Sequence, residues 1–370
     1  MISPRAAVLQ ASRGEHGGHG GHAARTADGI DVRHDFSACI NAFGPADVVS
    51  QAVRNTAFSE YPDPHSVAAR TTAARAWGRP VDEIVFGAGA AELIQSVCFA
   101  FIHSNDDVLI GTPAFGEYAR ASTLCGAAVI TAPLSGIASE ARHFIDCILH
   151  VRARLVFVGS PISPTGEPLG RNLLGGIADA CRAAGSVLVL DQSYDAFADE
   201  PIGWPAFGGH DAVVHVRSLT KEHAIAGVRV GFAVAPPAIA DWIDVVRVPW
   251  SASSAAQAAA VAALSDEAAQ HVARSTTVLR RERARVADAC QRAGFRTSDS
   301  STHYLLVDVG SAPRARSRLL ERGILVRDCT SFGLPRCIRV AARTPDANDA
   351  LIAAFDSLTP PFPRDDRTSQ

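Results

Sequence analysis

Five short apolar runs punctuate the first two thirds of the chain, separated by stretches in which Ala and Leu recur with helical spacing. The runs are centred near residues 84, 108, 156, 188 and 214. Strands that alternate with helices in this way form a mostly parallel sheet, and ligands bind at the carboxyl ends of its strands. We therefore predict an α/β fold whose functional residues lie just after these runs.

The last third of the chain has a different pattern. It contains short predicted strands around one predicted helix, at 304–309, 324–326 and 337–341 and at 312–322. This arrangement predicts a smaller α+β domain. We expect an N-terminal arm at 1–34, a large domain at 35–240, a small C-terminal domain at 241–358 and a disordered tail at 359–370.

The charge and the cysteine content of the chain limit the kinds of partner and the cellular compartment that we expect. The net charge is −3 and the pI is about 6.5, which gives no reason to expect nucleic acid or an acidic membrane as a partner. The eight cysteines include no C-x-x-C pair and no zinc spacing, so we expect reduced thiols in a cytoplasmic protein without a membrane span. Glycines are too dense in the His-rich segment at 15–22 to hold metal ligands in place, so we predict no metal site.

Lys221 is the single lysine of the chain, since the other 34 of the 35 Lys and Arg residues are arginine. A lysine amine can lose its proton when desolvated and can form a Schiff base with a carbonyl, whereas a guanidinium can do neither. A leftover surface lysine is the alternative. The neighbours favour chemistry, because Ser218 and Arg229 lie close in sequence and can together bind a phosphate. An amine nucleophile beside a phosphate site indicates pyridoxal 5′-phosphate, an aldehyde cofactor that carries a phosphate.

The run Arg-Ser-Leu-Thr-Lys at 217–221 resembles the lysine motif of the fold-type I aminotransferases, which use pyridoxal phosphate. It is most similar to the branch that contains histidinol-phosphate aminotransferases and threonine-phosphate decarboxylases, and the resemblance extends over residues 35–345. It implies a large domain with a mostly parallel, seven-stranded sheet, a smaller α+β domain, and an internal aldimine between Lys221 and the cofactor.

Several residues match the cofactor site of this family. Asp191 follows a predicted strand, where a carboxylate beside the ring nitrogen would keep that nitrogen protonated. A glycine turn at 87–91 leads into a predicted helix, and backbone N–H groups at a helix N-terminus bind anions. By resemblance, Tyr194 contacts the phenolic oxygen, Phe115 stacks on the ring, and the phosphate is held by Gly89, Ala90, Ala91, Ser218 and Arg229.

Ser163 and Tyr61 are the two further cofactor positions that the resemblance indicates. Ser163 stands where the family usually has an asparagine that bonds the phenolic oxygen, and its short hydroxyl leaves a contact through water or none. Tyr61, in a Tyr-Pro-Asp turn, matches a tyrosine that reaches the cofactor phosphate of the neighbouring subunit. The resemblance therefore implies a homodimer with shared active sites.

Four residues match positions on the substrate side. By resemblance, Arg339 binds the substrate α-carboxylate and the Asn41 amide lies beside it. Arg327 matches a position that meets a distal phosphate of the substrate, and His16 lies in a His-Gly-Gly run expected near that phosphate, with a flexible arm as its alternative. His303 departs from the family, which often has asparagine there.

Two reactions and one non-catalytic role remain open. Arg339 and the general chemistry of the family favour an aminotransferase whose small-molecule substrate is an amino acid, and Arg327 with His16 suggests a phosphorylated or anionic side chain. The His-Gly-Gly, Asp-Phe-Ser, Arg-Ser-Leu-Thr-Lys and Pro-Trp-Ser runs favour a decarboxylase of the threonine-phosphate type. Ala88 stands where the family commonly has asparagine. This departure and those at Ser163 and His303 would suit a binding module that has lost catalysis, but the retained lysine, aspartate, tyrosine and arginine of the cofactor site argue against it. We therefore expect an aminotransferase.

Overall fold

The computed structural model describes residues 6–11, 31–203, 212–355, 357–358 and 360. His16, most of the expected N-terminal arm and most of the expected C-terminal tail lie outside the described residues. The helices are α1 (Ala6–Gln10), α2 (Asp47–Arg54), α3 (Val67–Trp77), α4 (Ala90–Phe101), α5 (Gly116–Leu124), α6 (Ala138–Val151), α7 (Arg171–Ala184), α8 (Pro237–Val246), α9 (Ser254–Ala263), α10 (Asp266–Arg292), α11 (Ala312–Leu320) and α12 (Pro345–Phe355). The strands are β1 (His34–Asp35), β2 (Ile84–Gly87), β3 (Asp107–Thr112), β4 (Ala128–Pro133), β5 (Leu155–Gly159), β6 (Val187–Asp191), β7 (Val213–Ser218), β8 (Gly231–Val234), β9 (Arg296–Thr297), β10 (Tyr304–Asp308), β11 (Ile324–Leu325), β12 (Arg327–Asp328) and β13 (Cys337–Ala341).

The central sheet has seven strands in the order β2-β8-β7-β6-β5-β3-β4. Strands β3 to β7 run parallel, and β8 is antiparallel to both of its neighbours, β2 and β7. Each of the five predicted apolar runs forms a strand of this sheet, so the predicted α/β fold is confirmed. Sequence patterns did not indicate β4, an edge strand with mixed exposure, or β8, which has only four residues.

Side chains of the central strands alternate between two apolar layers. Leu188 and Leu190 of β6 belong to the layer that contains α6 and α7, whereas Val189 belongs to the layer that contains α4 and α5. Burial on both faces is the usual environment of a parallel strand in an α/β sheet. The carboxyl end of β6 therefore lies in the middle of the sheet, with neighbouring strand ends on either side.

A second, antiparallel sheet has the order β12-β13-β10-β9, and α10 and α12 pack against it through Val286 and Leu351. Strand β1 pairs in parallel with β11, and the fully buried Phe36 belongs to the same apolar core. Helix α9, by contrast, packs with α2, α3 and the β2–β8 edge of the central sheet. The domain boundaries expected at 34/35 and 240/241 remain predictions. Among the described helices, none combines the length and apolar character that a bilayer span requires.

Candidate active site

A cavity of about 390 Å³ opens at the carboxyl ends of the central parallel strands. Gly159, Asp191 and Ser218, the last residues of β5, β6 and β7, all line it. The second sheet contributes Arg339 from β13, and the segment after β1 contributes residues 37–40. The cavity thus lies between the two sheets, at the edge where the strand pattern predicts a ligand site.

Lys221 lies on the cavity wall, in the turn that follows β7. Its Nζ is 4.1 Å from the centre of the Tyr194 ring, and its carbonyl accepts a 2.9 Å hydrogen bond from the Asn41 N–H. Desolvation lowers the pKa of the Lys221 amine below its usual value, although the nearby carboxylates of Asp191 and Glu222 act in the opposite direction. A larger fraction of this amine is therefore neutral, and nucleophilic, than for a lysine on the surface.

Asp191 is held by two hydrogen bonds. The Tyr118 hydroxyl donates to Oδ2 at 2.7 Å, and the backbone N–H of Ser193 donates to Oδ1 at 2.9 Å. The side chain is buried, but it still borders the cavity. A carboxylate in this position can face a ring nitrogen and favour its protonated form.

A group of hydrogen-bond donors lies where the start of α4 meets the β7–β8 turn. Ala90 and Ala91, in the first turn of α4, line the cavity together with Ser218 and Arg229. The N–H groups at the start of this 12-residue helix, one hydroxyl and one guanidinium are a donor set suited to a phosphate. Thr220 also lines the cavity, and its hydroxyl lies 2.6 Å from that of Ser218.

Two glycines allow these elements to approach each other. A Cβ on Gly231 would lie 2.8 Å from the carbonyl carbon of Gly89 and 2.9 Å from the amide nitrogen of Ala90. A Cβ on Gly89 itself would lie 2.6 Å from Nη2 of Arg229, and its φ of 93° is in the region that favours glycine. The helix start, the strand β8 and the Arg229 side chain could not meet here with larger residues.

Arg339 supplies the positive charge on the opposite wall. Its Nη2 donates to the Ser37 carbonyl at 3.1 Å, and its Nη1 donates to the Ser163 hydroxyl at 3.4 Å. The guanidinium carbon lies 5.3 Å from the centre of the Tyr304 ring and 6.0 Å from that of Phe332. Within the described chain, its buried Nε has no hydrogen-bond partner. A guanidinium fixed in this way retains donor capacity for an anionic group of a ligand.

Aromatic residues complete the wall. Phe115 lines the cavity and meets the Tyr118 ring edge-on, with the ring centres 5.8 Å apart. Tyr194 also lines it and packs edge-on against Tyr304 at 4.9 Å. Burial raises the pKa of the Tyr194 hydroxyl, so Tyr194 is protonated at neutral pH and can donate a hydrogen bond.

Four of the expected residues in the described part of the chain do not line this cavity: Gly89, Asn41, Arg327 and Tyr61. The Asn41 amide donates to the Glu222 carbonyl at 2.9 Å and to the Ser275 hydroxyl at 2.7 Å, beneath the Lys221 turn. Arg327 donates to the Ser331 hydroxyl at 2.8 Å and lies 5.4 Å from the centre of the Phe332 ring. Tyr61 is 85% exposed and packs on Trp250.

Sequence reasoning missed several residues of the cavity, among them Cys39, Tyr118 and Phe332. Tyr118 lies three residues after Phe115, a spacing that puts two side chains on one side of a helix start, and this signal was available. Cys39 lies in the irregular segment between β1 and α2, and Phe332 ends a three-residue 3₁₀ helix between β12 and β13. Neither segment is long enough to show a periodicity. No cluster of three or more potential metal-binding side chains occurs among the described residues.

The close contact at Gly231 generates a test. We expect Gly231→Ala to weaken binding of pyridoxal phosphate at least tenfold and to destabilise the protein by about 1–3 kcal/mol, because the new methyl group collides with backbone atoms. Gly227→Ala is the matched control, since a Cβ there meets no atom within 4 Å. Absorbance titration and thermal unfolding measure the two effects. Equal cofactor affinity in both variants would contradict this account of the donor group.

The buried Glu222 carboxyl predicts that the stability of the protein depends on pH. Burial raises the pKa of its carboxyl from 4.5 to about 7, so the stability associated with its protonated form is complete below pH 4.5 and is lost as pH rises through 7. We expect Glu222→Gln to increase the free energy of unfolding by about 2–3 kcal/mol at pH 8 and to have little effect at pH 4.5. Urea denaturation at both pH values measures this, with the exposed Glu321→Gln as control. A gain of equal size at both pH values would point to packing rather than titration.

Comparison with known proteins agrees with the fold. The family model described as aminotransferase class I and II matches residues 35–355. The histidinol-phosphate aminotransferase of Halorubrum lacusprofundi is 31% identical over 321 residues, which cover 85% of this chain and 86% of the relative. That of Granulibacter bethesdensis is 30% identical over 345 residues, which cover 91% and 92%.

Solved structures share the fold at lower identity. Histidinol-phosphate aminotransferase from Sinorhizobium meliloti, solved in complex with pyridoxal 5′-phosphate, superposes with a TM-score of 0.87 at 22% identity and covers 96% of this chain and 97% of its own. Aspartate aminotransferase from Thermus thermophilus, solved with maleate, gives a TM-score of 0.83 at 20% identity and covers 97% and 100%. The family match spans most of the chain, and the chain therefore belongs to the class I and II aminotransferases.

Proposed function

We propose that this protein is a pyridoxal-phosphate-dependent aminotransferase whose cofactor is attached through Lys221. The observation that carries the proposal is the convergence of Lys221, Asp191, Arg229 and Arg339 on one cavity of about 390 Å³. These residues fit the cofactor. The close approach of Gly231 to the Gly89–Ala90 backbone brings the N–H groups at the start of α4 near Ser218, and the Asp191 carboxylate and the Lys221 amine border the same cavity. When bound, pyridoxal phosphate supplies an aldehyde that takes up the amino group and a ring that accepts electrons.

Each residue of the cavity would have a separate role in binding the cofactor or in moving a proton. Ser218, Arg229 and the N–H groups of Ala90 and Ala91 would hold the phosphate, while Asp191 would meet the ring nitrogen. Phe115 would provide a stacking face, and Tyr194 and Ser163 would lie near the phenolic oxygen. The Lys221 amine, displaced when a substrate amine enters, would accept a proton from the substrate α-carbon. Its lowered pKa favours the neutral form that this step needs.

Arg339 supports an amino substrate with an anionic group. Its guanidinium is held between the Tyr304 and Phe332 rings and is directed into the cavity, which suits a carboxylate or a phosphate ester. The relatives named histidinol-phosphate aminotransferases make histidinol phosphate the first substrate to test. A second anionic group on the substrate, expected from Arg327 and His16, remains a prediction, because Arg327 contacts Ser331 and Phe332 and His16 lies outside the described residues.

A single-turnover experiment tests the reaction. We would mix the purified, cofactor-loaded protein with histidinol phosphate, O-phosphothreonine and a panel of amino acids, without a keto acid acceptor, and follow the cofactor by mass spectrometry. Conversion to pyridoxamine phosphate with a carbonyl product supports the aminotransferase. Release of CO2 with the cofactor unchanged would instead identify a decarboxylase, and failure to bind the cofactor would indicate a binding module. Lys221→Ala is the control, and we expect it to slow turnover by about 10²–10⁴-fold or more.

An exposed apolar patch supports a homodimer. Tyr61, Val248 and Trp250 are 85%, 70% and 50% exposed, and the Tyr61 and Trp250 rings lie 5.4 Å apart. Exposed large apolar side chains that cluster on a surface often mark a protein–protein interface. A second copy of the chain would cover them and would bring Tyr61 toward the other subunit's phosphate site.

Mixing two defective variants tests the shared site. Tyr61→Ala and Lys221→Ala each damage their own homodimers, but a mixed dimer would combine an intact Tyr61 with an intact Lys221 in one of its two sites. We expect activity of the mixture, after exchange of subunits, to exceed the mean of the two separate variants. No gain on mixing, with exchange verified by mass spectrometry, would mean that Tyr61 does not act across the interface.

A further inference from the structure

The carboxylate of Asp191 is oriented by a group that lies outside the predicted cofactor set. Oδ2 accepts a 2.7 Å hydrogen bond from the Tyr118 hydroxyl, and Oδ1 accepts a 2.9 Å bond from the Ser193 N–H. Each oxygen of a carboxylate has two acceptor positions, so each keeps one for a ligand. The two bonds fix the plane of the carboxylate, which otherwise rotates in a broad, roughly two-fold torsional well.

Tyr118 is itself fixed by packing. Its ring stacks on that of Phe157 in β5, with the ring centres 5.0 Å apart and an angle of 11° between the ring planes. The Phe115 ring makes a second, edge-on contact with it, at an angle of 87° between the planes. The residue is only 3% exposed, although it borders the cavity. The hydroxyl position is therefore set by aromatic packing before any ligand enters.

The hydroxyl can act only as a donor toward Asp191. Burial and the adjacent negative charge raise the pKa of the Tyr118 hydroxyl well above its usual value, so the proton remains on the oxygen. A charge-assisted bond of this kind is stronger than a bond between neutral groups. Removing the hydroxyl would leave the ring packing intact and would free the carboxylate to turn.

We propose that Tyr118 is a positioning residue, which holds the Asp191 carboxylate toward the ring nitrogen of the cofactor. The inference rests on the proposed function, since it concerns how the site recognises pyridoxal phosphate. Tyr118 lies in the first turn of α5, and Phe115 immediately precedes that helix. One short segment thus supplies both the stacking face and the group that aligns the carboxylate.

The test compares two cofactors that differ in one ring atom. Apoprotein of the wild type and of Tyr118→Phe is titrated with pyridoxal phosphate and with its 1-deaza analogue, in which carbon replaces the ring nitrogen. We expect Tyr118→Phe to weaken binding of pyridoxal phosphate about tenfold, the loss typical of one hydrogen bond to a charged group. Binding of the analogue should change less than about twofold, because it makes no ring-nitrogen contact.

Two further variants make the outcome specific. Tyr304→Phe removes another buried hydroxyl, which donates to the Ile162 carbonyl at 3.4 Å rather than to Asp191, and it should leave the preference between the two cofactors unchanged. In an Asp191→Asn background, Tyr118→Phe should have no further effect on that preference. Thermal unfolding of each apoprotein reports any general loss of structure.

The contrary outcomes are distinct. If Tyr118→Phe lost affinity equally for both cofactors, Tyr118 would contribute packing only. If Tyr118→Phe bound pyridoxal phosphate as tightly as the wild type does, Tyr118 would have no role in positioning Asp191. If the wild type bound neither cofactor, the proposed function itself would fail. A wild type that binds both cofactors with equal affinity would exclude any role of Asp191 at the ring nitrogen, and with it the role of Tyr118.

Discussion

The backbone contact between Gly231 and the Gly89–Ala90 turn is the constraint on which the site depends. Gly231 begins β8, which is antiparallel to both of its neighbours in the central sheet, and pairs with Gly87 on one side and Ser218 on the other. Because no side chain stands between them, the start of α4 and the end of β7 lie close enough to share one ligand. The donors at both ends can then act on a single anion, which separate strand ends could not do.

Buried charges are the second constraint on the cavity. The positive groups Lys221 and Arg339 and the negative Asp191 line the same cavity, and all three side chains are largely removed from solvent. Each charge is held by neighbouring dipoles or rings: Asp191 by Tyr118 and Ser193, and Arg339 by the Ser37 carbonyl. Fixed dipoles in a poorly solvated site interact strongly with a ligand and need not reorganise during reaction. A phosphorylated aldehyde cofactor fits this arrangement of charges.

Local sequence patterns predicted much of the fold and a large part of the cavity. Asp191 could be located because it ends a buried strand, Ser218 and Arg229 because they lie close to Lys221 in sequence, and the start of α4 because a glycine turn precedes a helical pattern. Ala91, Phe115, Ser163, Tyr194 and Arg339 came from resemblance to a family, and all of them line the cavity. Cys39 and Phe332 escaped notice because they lie between short elements, where neither helical nor strand periodicity operates. Asn41 and Arg327 are the opposite case. Both were predicted to bind the substrate, but in the structure Asn41 donates to the Glu222 carbonyl and Arg327 donates to the Ser331 hydroxyl.

The sequence by itself determined the alternation of strands and helices, the uniqueness of Lys221 and the order of the residues around it, since these depend on neighbours along the chain. Only the tertiary structure decided which groups share the cavity. Strand β1 pairs with β11 almost 300 residues away, and this pairing brings residues 37–40 beside Arg339. The Tyr118–Asp191 bond likewise joins residues 73 positions apart. Such contacts follow from strand order and side-chain packing, and no local pattern of residues encodes them.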